Sequence, residues 1–186
     1  MTIKNTFAPG IHRPLVGGGE IYIDGEWFLN QQIYLLGYAF NLRCKGWLYG
    51  RELTRKRVQE LLRGVETIYQ YGPDVAMLEK CFNLHIKSRY RCINLLRATR
   101  RLYPRSKHLR LCDFEKRAGI RRTTMEYKTD IFNLHRDWND PKKRIRALIY
   151  NQEDVLNLIR VKRWLYHKHH ITRAMEDEWR LLPPNN

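Results

Sequence analysis

The chain has no paired cysteines: Cys44, Cys81, Cys92 and Cys112 stand singly. That excludes the spacings of zinc ribbons and fingers and leaves reduced thiols that serve mainly in packing. A Gly-rich phosphate loop followed by Lys and Ser or Thr is absent, as are HExxH and GxSxG, so none of these short catalytic signatures points to an enzyme. The one glycine run, residues 17–19, has neither a strand before it nor a helix after it. Long apolar stretches are lacking too. The longest, "IYLLGYAFNL" at 33–42, is about half of the ~20 residues a membrane helix needs, so no transmembrane span is expected. The first residues, "MTIKNTFAPGIHRP", have no apolar core of a secretory signal, and they are too poor in Arg and Ser and too broken by proline for a clear transit peptide. No fixed-period repeat is present, which excludes a solenoid. Acidic residues are scarce beside basic ones, 19 against 35, a formal balance of +16. Such an excess predicts an anionic partner without naming it.

Apolar material is ample. Hydrophobic residues make up 43% and aromatics 12% of 186 residues, enough for one domain with a core and an extension. Residues 1–19, with Pro9, Gly10, Pro14 and the glycine run, read as an arm. In "EIYIDGEWF" the Asp24–Gly25 pair between two short alternating segments favours a type I′ hairpin. A helical pattern starts at Asn30, and a second helix is expected from Thr54 to about Tyr71, with Val58, Leu61, Leu62, Val65 and Ile68 recurring at three and four. Gly72 and Pro73 end it. Asp74 is then a candidate N-cap for helical periodicity that resumes at Met77 and runs on to Pro104. Further helices are expected over 120–135 and, started by Asp140 and Pro141, from there past Trp164. His167, His169 and His170 read as a solvated basic patch, because no carboxylate or thiolate set accompanies them.

"NLLRATRRLYP" at 94–104, Phe132, and the Asp140–Pro141 pair opening "DPKKRIRALIYNQEDVLNLIRVKRWLYHKHH" together resemble the LYR-motif family. Leu95, Leu96 and Arg97 stand in the Leu-Tyr-Arg places, with Leu96 replacing the family's Tyr. Within the family the likeness is to a LYR accessory subunit of mitochondrial respiratory complex I. The resemblance implies an all-α fold in which residues 88–172 form a three-helix bundle. It would be preceded by an arm with a possible hairpin (1–48) and an additional helical segment (49–87), and followed by a tail (173–186).

The resemblance also implies a function. The chain would be a non-catalytic accessory subunit, peripheral to the inner mitochondrial membrane on its matrix side. It would dock the mitochondrial acyl carrier protein onto the core and accessory subunits of the matrix arm, with no direct contact to nucleic acid. It would hold no cofactor of its own, only the partner's acyl-4′-phosphopantetheine. Docking would fall to Arg97, Arg100, Arg101, Arg121, Arg122, Lys128, Lys142, Lys143 and Arg144, since guanidinium groups pair with carboxylates and phosphate. Leu95, Leu96, Phe132, Leu148, Gln152, Val155 and Ile159 would wall the acyl tunnel. Two other roles remain as alternatives: another mitochondrial LYR adaptor, in iron-sulfur or ribosome assembly, and an RNA-packed ribosomal protein, a rival because +16 could release counterions from a phosphate backbone, against which no RNP, KH or zinc-finger pattern appears.

Overall fold

The computed structural model describes residues 19–124, 127 and 131–182. The expected arm at 1–18, Lys128 and the prolines at 183–184 lie outside them. The fold is not all-α: a five-stranded mixed sheet, ordered β3-β2-β1-β4-β5, organises the chain. β1 spans Gly19–Trp27 and runs straight through the expected hairpin turn. A type I′ turn needs positive φ, and among the described glycines that falls at Gly50, Gly64 and Gly119, not at Gly25. Side chains alternate along β1. Ile21 and Ile23 enter one core cluster, Tyr22 the opposite one, as a period of two requires.

β2, Ile33–Ala39, replaces the helix expected from Asn30, and all seven of its residues are buried. A short, continuously apolar run has no period of its own, and here the sheet decides its conformation. It pairs antiparallel with β1 and with β3, Lys45–Tyr49. Thr54 does cap a helix, its hydroxyl accepting the Arg57 N–H at 3.3 Å. But α1, Arg55–Leu62, stops before Gly64 at φ +73°. The rest of the supposed helix is β4, Val65–Gln70, parallel to β1 and to β5, Arg91–Asn94. Val65, Thr67 and Ile68 suit a central strand better than a helix.

The helices that follow β4 are α2 (Asp74–Phe82), α3 (Ile86–Arg89), α4 (Leu95–Leu102), α5 (Leu111–Arg117), α6 (Ile131–Asn139), α7 (Arg144–His169) and α8 (Arg173–Asp177). The expected cap at Asp140 and first turn at Pro141 fall short of the helix: Asp140 Oδ1 accepts the Lys142 N–H and its carbonyl the Arg144 N–H, both at 2.9 Å, in a turn that leads into α7, whose N-cap is Lys143. The expected bundle is not formed, however, because β5 lies inside residues 88–172 and is part of the sheet. That sheet takes strands from 19–94 and so spans the expected segments 1–48, 49–87 and 88–172. α1 and α2 cover one face, where Ile21, Ile23, Leu36, Ile68, Leu61 and Leu78 pack together. α7 crosses β1, β2 and β3 on the other, flanked by α5 and α6. Its approach depends on Gly37, where a Cβ would sit 2.0 Å from Asn151 Oδ1 and 3.0 Å from Val155 Cγ2. No helix among the described residues is long and apolar enough to cross a membrane.

Candidate active site

Strand alternation puts Asp24 and Glu26 on the face that α7 covers, beyond Tyr22. α7 meets them there with Asn151, whose amide donates to Asp24 Oδ2 at 2.8 Å and to the Asp24 carbonyl at 3.2 Å. Asp154 projects one helical turn further on, and the carboxylate oxygens of Asp24, Glu26 and Asp154 lie within 4.8 Å of one another. Asp74 comes from the other side as the first residue of α2, just beyond the end of β4. Its Oδ1 accepts the Gly25 N–H at 3.0 Å. Glycine serves here because a Cβ would lie 3.4 Å from that oxygen and 3.1 Å from Ile33 Cδ1. Four carboxylates thus converge at the carboxyl ends of two parallel strands, where open α/β sheets bind ligands. They adjoin a cleft of about 260 Å³ that Asp24, Asp74 and Asp154 line together with Trp27, Tyr150 and Arg122.

Burial dominates the electrostatics. It raises Asp24 well above the usual carboxylate range and Glu26 to about 8, with repulsion from Asp154 adding to both. Burial likewise raises Asp74 and Asp154 to about 6. Arg122, in contact with Asp154, pulls it the other way. The Tyr150 phenol is itself raised by burial and by Asp154, so it stays protonated and acts as a donor. Asp24 and Glu26, both half-buried, and the buried Asp154 bring hard oxygen donors together beside the cleft, with Asp74 on its wall, a set that suits a divalent cation of the Mg²⁺ or Mn²⁺ class. Neutralising their shared charge is what such an ion would accomplish.

The residues expected to dock a carrier protein scatter. Arg97, Arg100, Arg101 and Arg121 are exposed, with Arg101 paired to Glu178 at 3.0 Å. Lys142 and Lys143 are exposed at the turn before α7. Arg144 is half-buried, its Nε donating to the Trp138 carbonyl at 2.9 Å. Arg122 belongs to the acid site instead, its side chain only 4% exposed. Of the expected tunnel walls, Leu95, Val155 and Ile159 pack with Tyr22, Ala39 and Tyr69 of the sheet. Leu148 sits in a different cluster with Tyr34 and Trp138. Gln152 is buried, Leu96 is half-buried, and Phe132 is 67% exposed on α6.

Sequence reasoning passed over Asp24, Glu26, Asp74, Tyr150 and Asp154 as site residues. The signal was present: two acids spaced by one residue in an alternating segment share a face, and Tyr150 and Asp154 share one at helical spacing. Reading Asp24–Gly25 as a turn and Asp74 as a cap hid both.

A family model described as the RNase_H superfamily matches residues 30–166, a span that includes Asp74, Tyr150 and Asp154 and begins after Asp24 and Glu26. Two solved structures share the fold. NrnC of Brucella melitensis is 16% identical, with a TM-score of 0.65 over 87% of this chain and 80% of that one. A second, described as the apo form of a nuclease, is 15% identical, with a TM-score of 0.65 over 86% and 78%. No curated protein sequence matches the chain. These findings overturn the LYR resemblance and, of what it implied, the non-catalytic role, complex I and its matrix-arm subunits, the acyl carrier protein, its acyl-4′-phosphopantetheine, and the exclusion of nucleic acid. They support neither the LYR-adaptor nor the ribosomal alternative. Each landmark of the resemblance has a different cause: Leu95–Arg97 opens α4 directly after β5, Phe132 faces outward, and Asp140–Pro141 forms the turn before α7.

Proposed function

Because the chain belongs to the RNase_H superfamily, we propose that it is a divalent-metal-dependent nuclease that hydrolyses phosphodiester bonds at the Asp24–Glu26–Asp74–Asp154 cluster. The observation that carries this reading is the convergence of four carboxylates from β1, α2 and α7 on one cleft. Asp24, Glu26, Asp74 and Asp154 would hold the cation, which when bound supplies Lewis-acid polarisation of the phosphate and stabilises charge in the displacement. In the reaction a water oxygen bonds to phosphorus, the bond from phosphorus to the leaving sugar oxygen breaks, the attacking water gives up one proton to solvent, and the leaving oxygen takes one up from solvent. Asn151 holds Asp24 in place through two hydrogen bonds. Tyr150, protonated and lining the same cleft as Asp154, is placed to orient a water or a phosphate oxygen, not to abstract a proton. The balance of +16 favours a polyanionic substrate over a neutral one.

The test is cleavage of end-labelled RNA and DNA oligonucleotides in Mg²⁺ or Mn²⁺, against EDTA and against Asp24→Asn. Hydrolysis that needs both the ion and Asp24 is expected. Intact oligonucleotides of both kinds after incubation with wild type in either ion would refute the reading.

A further inference from the structure

Arg122 does more than touch the acids. It follows α5 in a loop and is clamped: its Nε and Nη2 engage both oxygens of Glu115, at 2.5 and 2.6 Å, and Nη2 also reaches Asp154. Glu115, 2% exposed, accepts in turn from Asn157 of α7 at 3.2 Å. The remaining nitrogen, Nη1, is buried with no hydrogen-bond partner. The Tyr150 ring, 5.3 Å from Cζ, can attract the cation, but its π-face is no substitute for acceptors of the in-plane N–H groups.

Two ordinary roles explain this poorly. A residue kept only to neutralise the acids would not arrive with a carboxylate of its own, because Glu115 cancels the charge that Arg122 brings. A brace between α5 and α7 already exists in the Glu115–Asn157 bond and would not strand a charged donor, which is costly to bury unsatisfied. What the clamp does achieve is to fix the plane and direction of a guanidinium on the wall of the cleft that Asp24, Asp74 and Asp154 also line.

We propose that Arg122 is a further catalytic group of this site, its guanidinium binding a non-bridging oxygen of the phosphate held over the carboxylates, with Glu115 as its positioning residue. The inference rests on the phosphodiesterase reading above. A guanidinium matches phosphate oxygens in both charge and geometry. A donor fixed in advance meets the charge that gathers on those oxygens without reorganising.

Adenosine 5′-monophosphate is the probe, titrated in Ca²⁺ against wild type, Arg122→Met, Arg122→Lys and Glu115→Gln, with melting temperatures in Ca²⁺ and in EDTA recorded alongside. Arg122→Met should weaken the nucleotide about 10- to 100-fold while Ca²⁺ still raises its melting temperature. Arg122→Lys should recover part of the loss, and Glu115→Gln should lie between. On oligonucleotides, kcat of Arg122→Ala should fall and be partly restored by millimolar guanidinium. The proposal is overturned if wild type does not bind the nucleotide, or if Arg122→Met binds it as wild type does. It is equally overturned if the variants lose Ca²⁺ stabilisation and nucleotide binding together with no rescue, as a mere brace would. Failure of wild type to cleave any oligonucleotide would remove the nuclease reading alone. Selective loss of nucleotide binding in Arg122→Met would still support the phosphate contact.

Discussion

Replacing Asp74 by Asn removes one charge from the carboxylate cluster while keeping an Oδ1 to accept the Gly25 N–H, 3.0 Å away in the native site. Burial, with the charge of Asp154 adding to it, lifts Asp74 from 3.8 to about 6. The folded protein therefore holds this proton more tightly than the unfolded chain does. Its contribution to stability is fully present below the unfolded value and is lost as pH rises through about 6. By pH 8 the ionised side chain costs the metal-free fold up to about 3 kcal/mol, of which the variant should recover roughly 1–3 kcal/mol. At about 2–4 °C per kcal/mol for a chain of this size, that is a melting temperature higher by roughly 2–12 °C in EDTA at pH 8. The advantage should shrink toward pH 5. Mg²⁺ should invert the order, because an ion at a hundred times its Kd adds about 2.7 kcal/mol to the protein that binds it, and the variant has lost a ligand. Thermal unfolding followed by circular dichroism at pH 5 and 8, with EDTA or MgCl₂, reads all four conditions. The reasoning is wrong if the variant is the less stable protein in EDTA at pH 8, or if Mg²⁺ raises both proteins equally.

Asp24→Asn should lower the oligonucleotide cleavage rate on the order of 10²–10³-fold or more without loss of helix signal, since it removes a charge the reaction uses and not a core contact. Tyr150→Phe keeps the ring beside Arg122 and loses only the hydroxyl on the cleft that Asp154 also lines, so kcat should fall about 10- to 100-fold with KM nearly constant; a change confined to KM would contradict the role given to the phenol. Gly37→Ala forces a methyl to within 2.0 Å of Asn151 Oδ1, and urea denaturation should register a loss of about 1–3 kcal/mol together with reduced cleavage as α7 shifts.

The sequence showed clearly where structure is local. The Asp140–Pro141 turn that leads into α7, the Thr54 cap of α1 and the break at Gly72–Pro73 are each set by a few neighbouring residues. It misled where structure is set from a distance. "IYLLGYA" reads as helix or strand with equal ease until β1 and β3 flank it. Val65 and Ile68 continue the three-and-four rhythm of α1, although Gly64 has already turned the chain into a strand. The acid site suffered most. Asp24–Gly25 has the composition of a turn, but its glycine answers to the carboxylate of Asp74, 49 residues away. Arg122 read as part of an outward docking face because Glu115 and Asp154, which bury it, lie seven and 32 residues away along the chain.

The distances along the chain carry a consequence for synthesis. β1 contributes its two acids early, yet Asp154 follows Asp24 only after 130 further residues, and it reaches the cleft only when α7 has docked across the sheet. A folding chain completes the cluster only when α7 docks across the sheet, so the acids of β1 and α2 are made before the site they belong to exists. The same dependence holds in the finished molecule. Local opening of α7 alone would take Asn151, Tyr150 and Asp154 away together, leaving the other acids in place but without the rest of their ligand set. Amide hydrogen exchange along that helix would therefore measure the fraction of molecules able to cut at any moment.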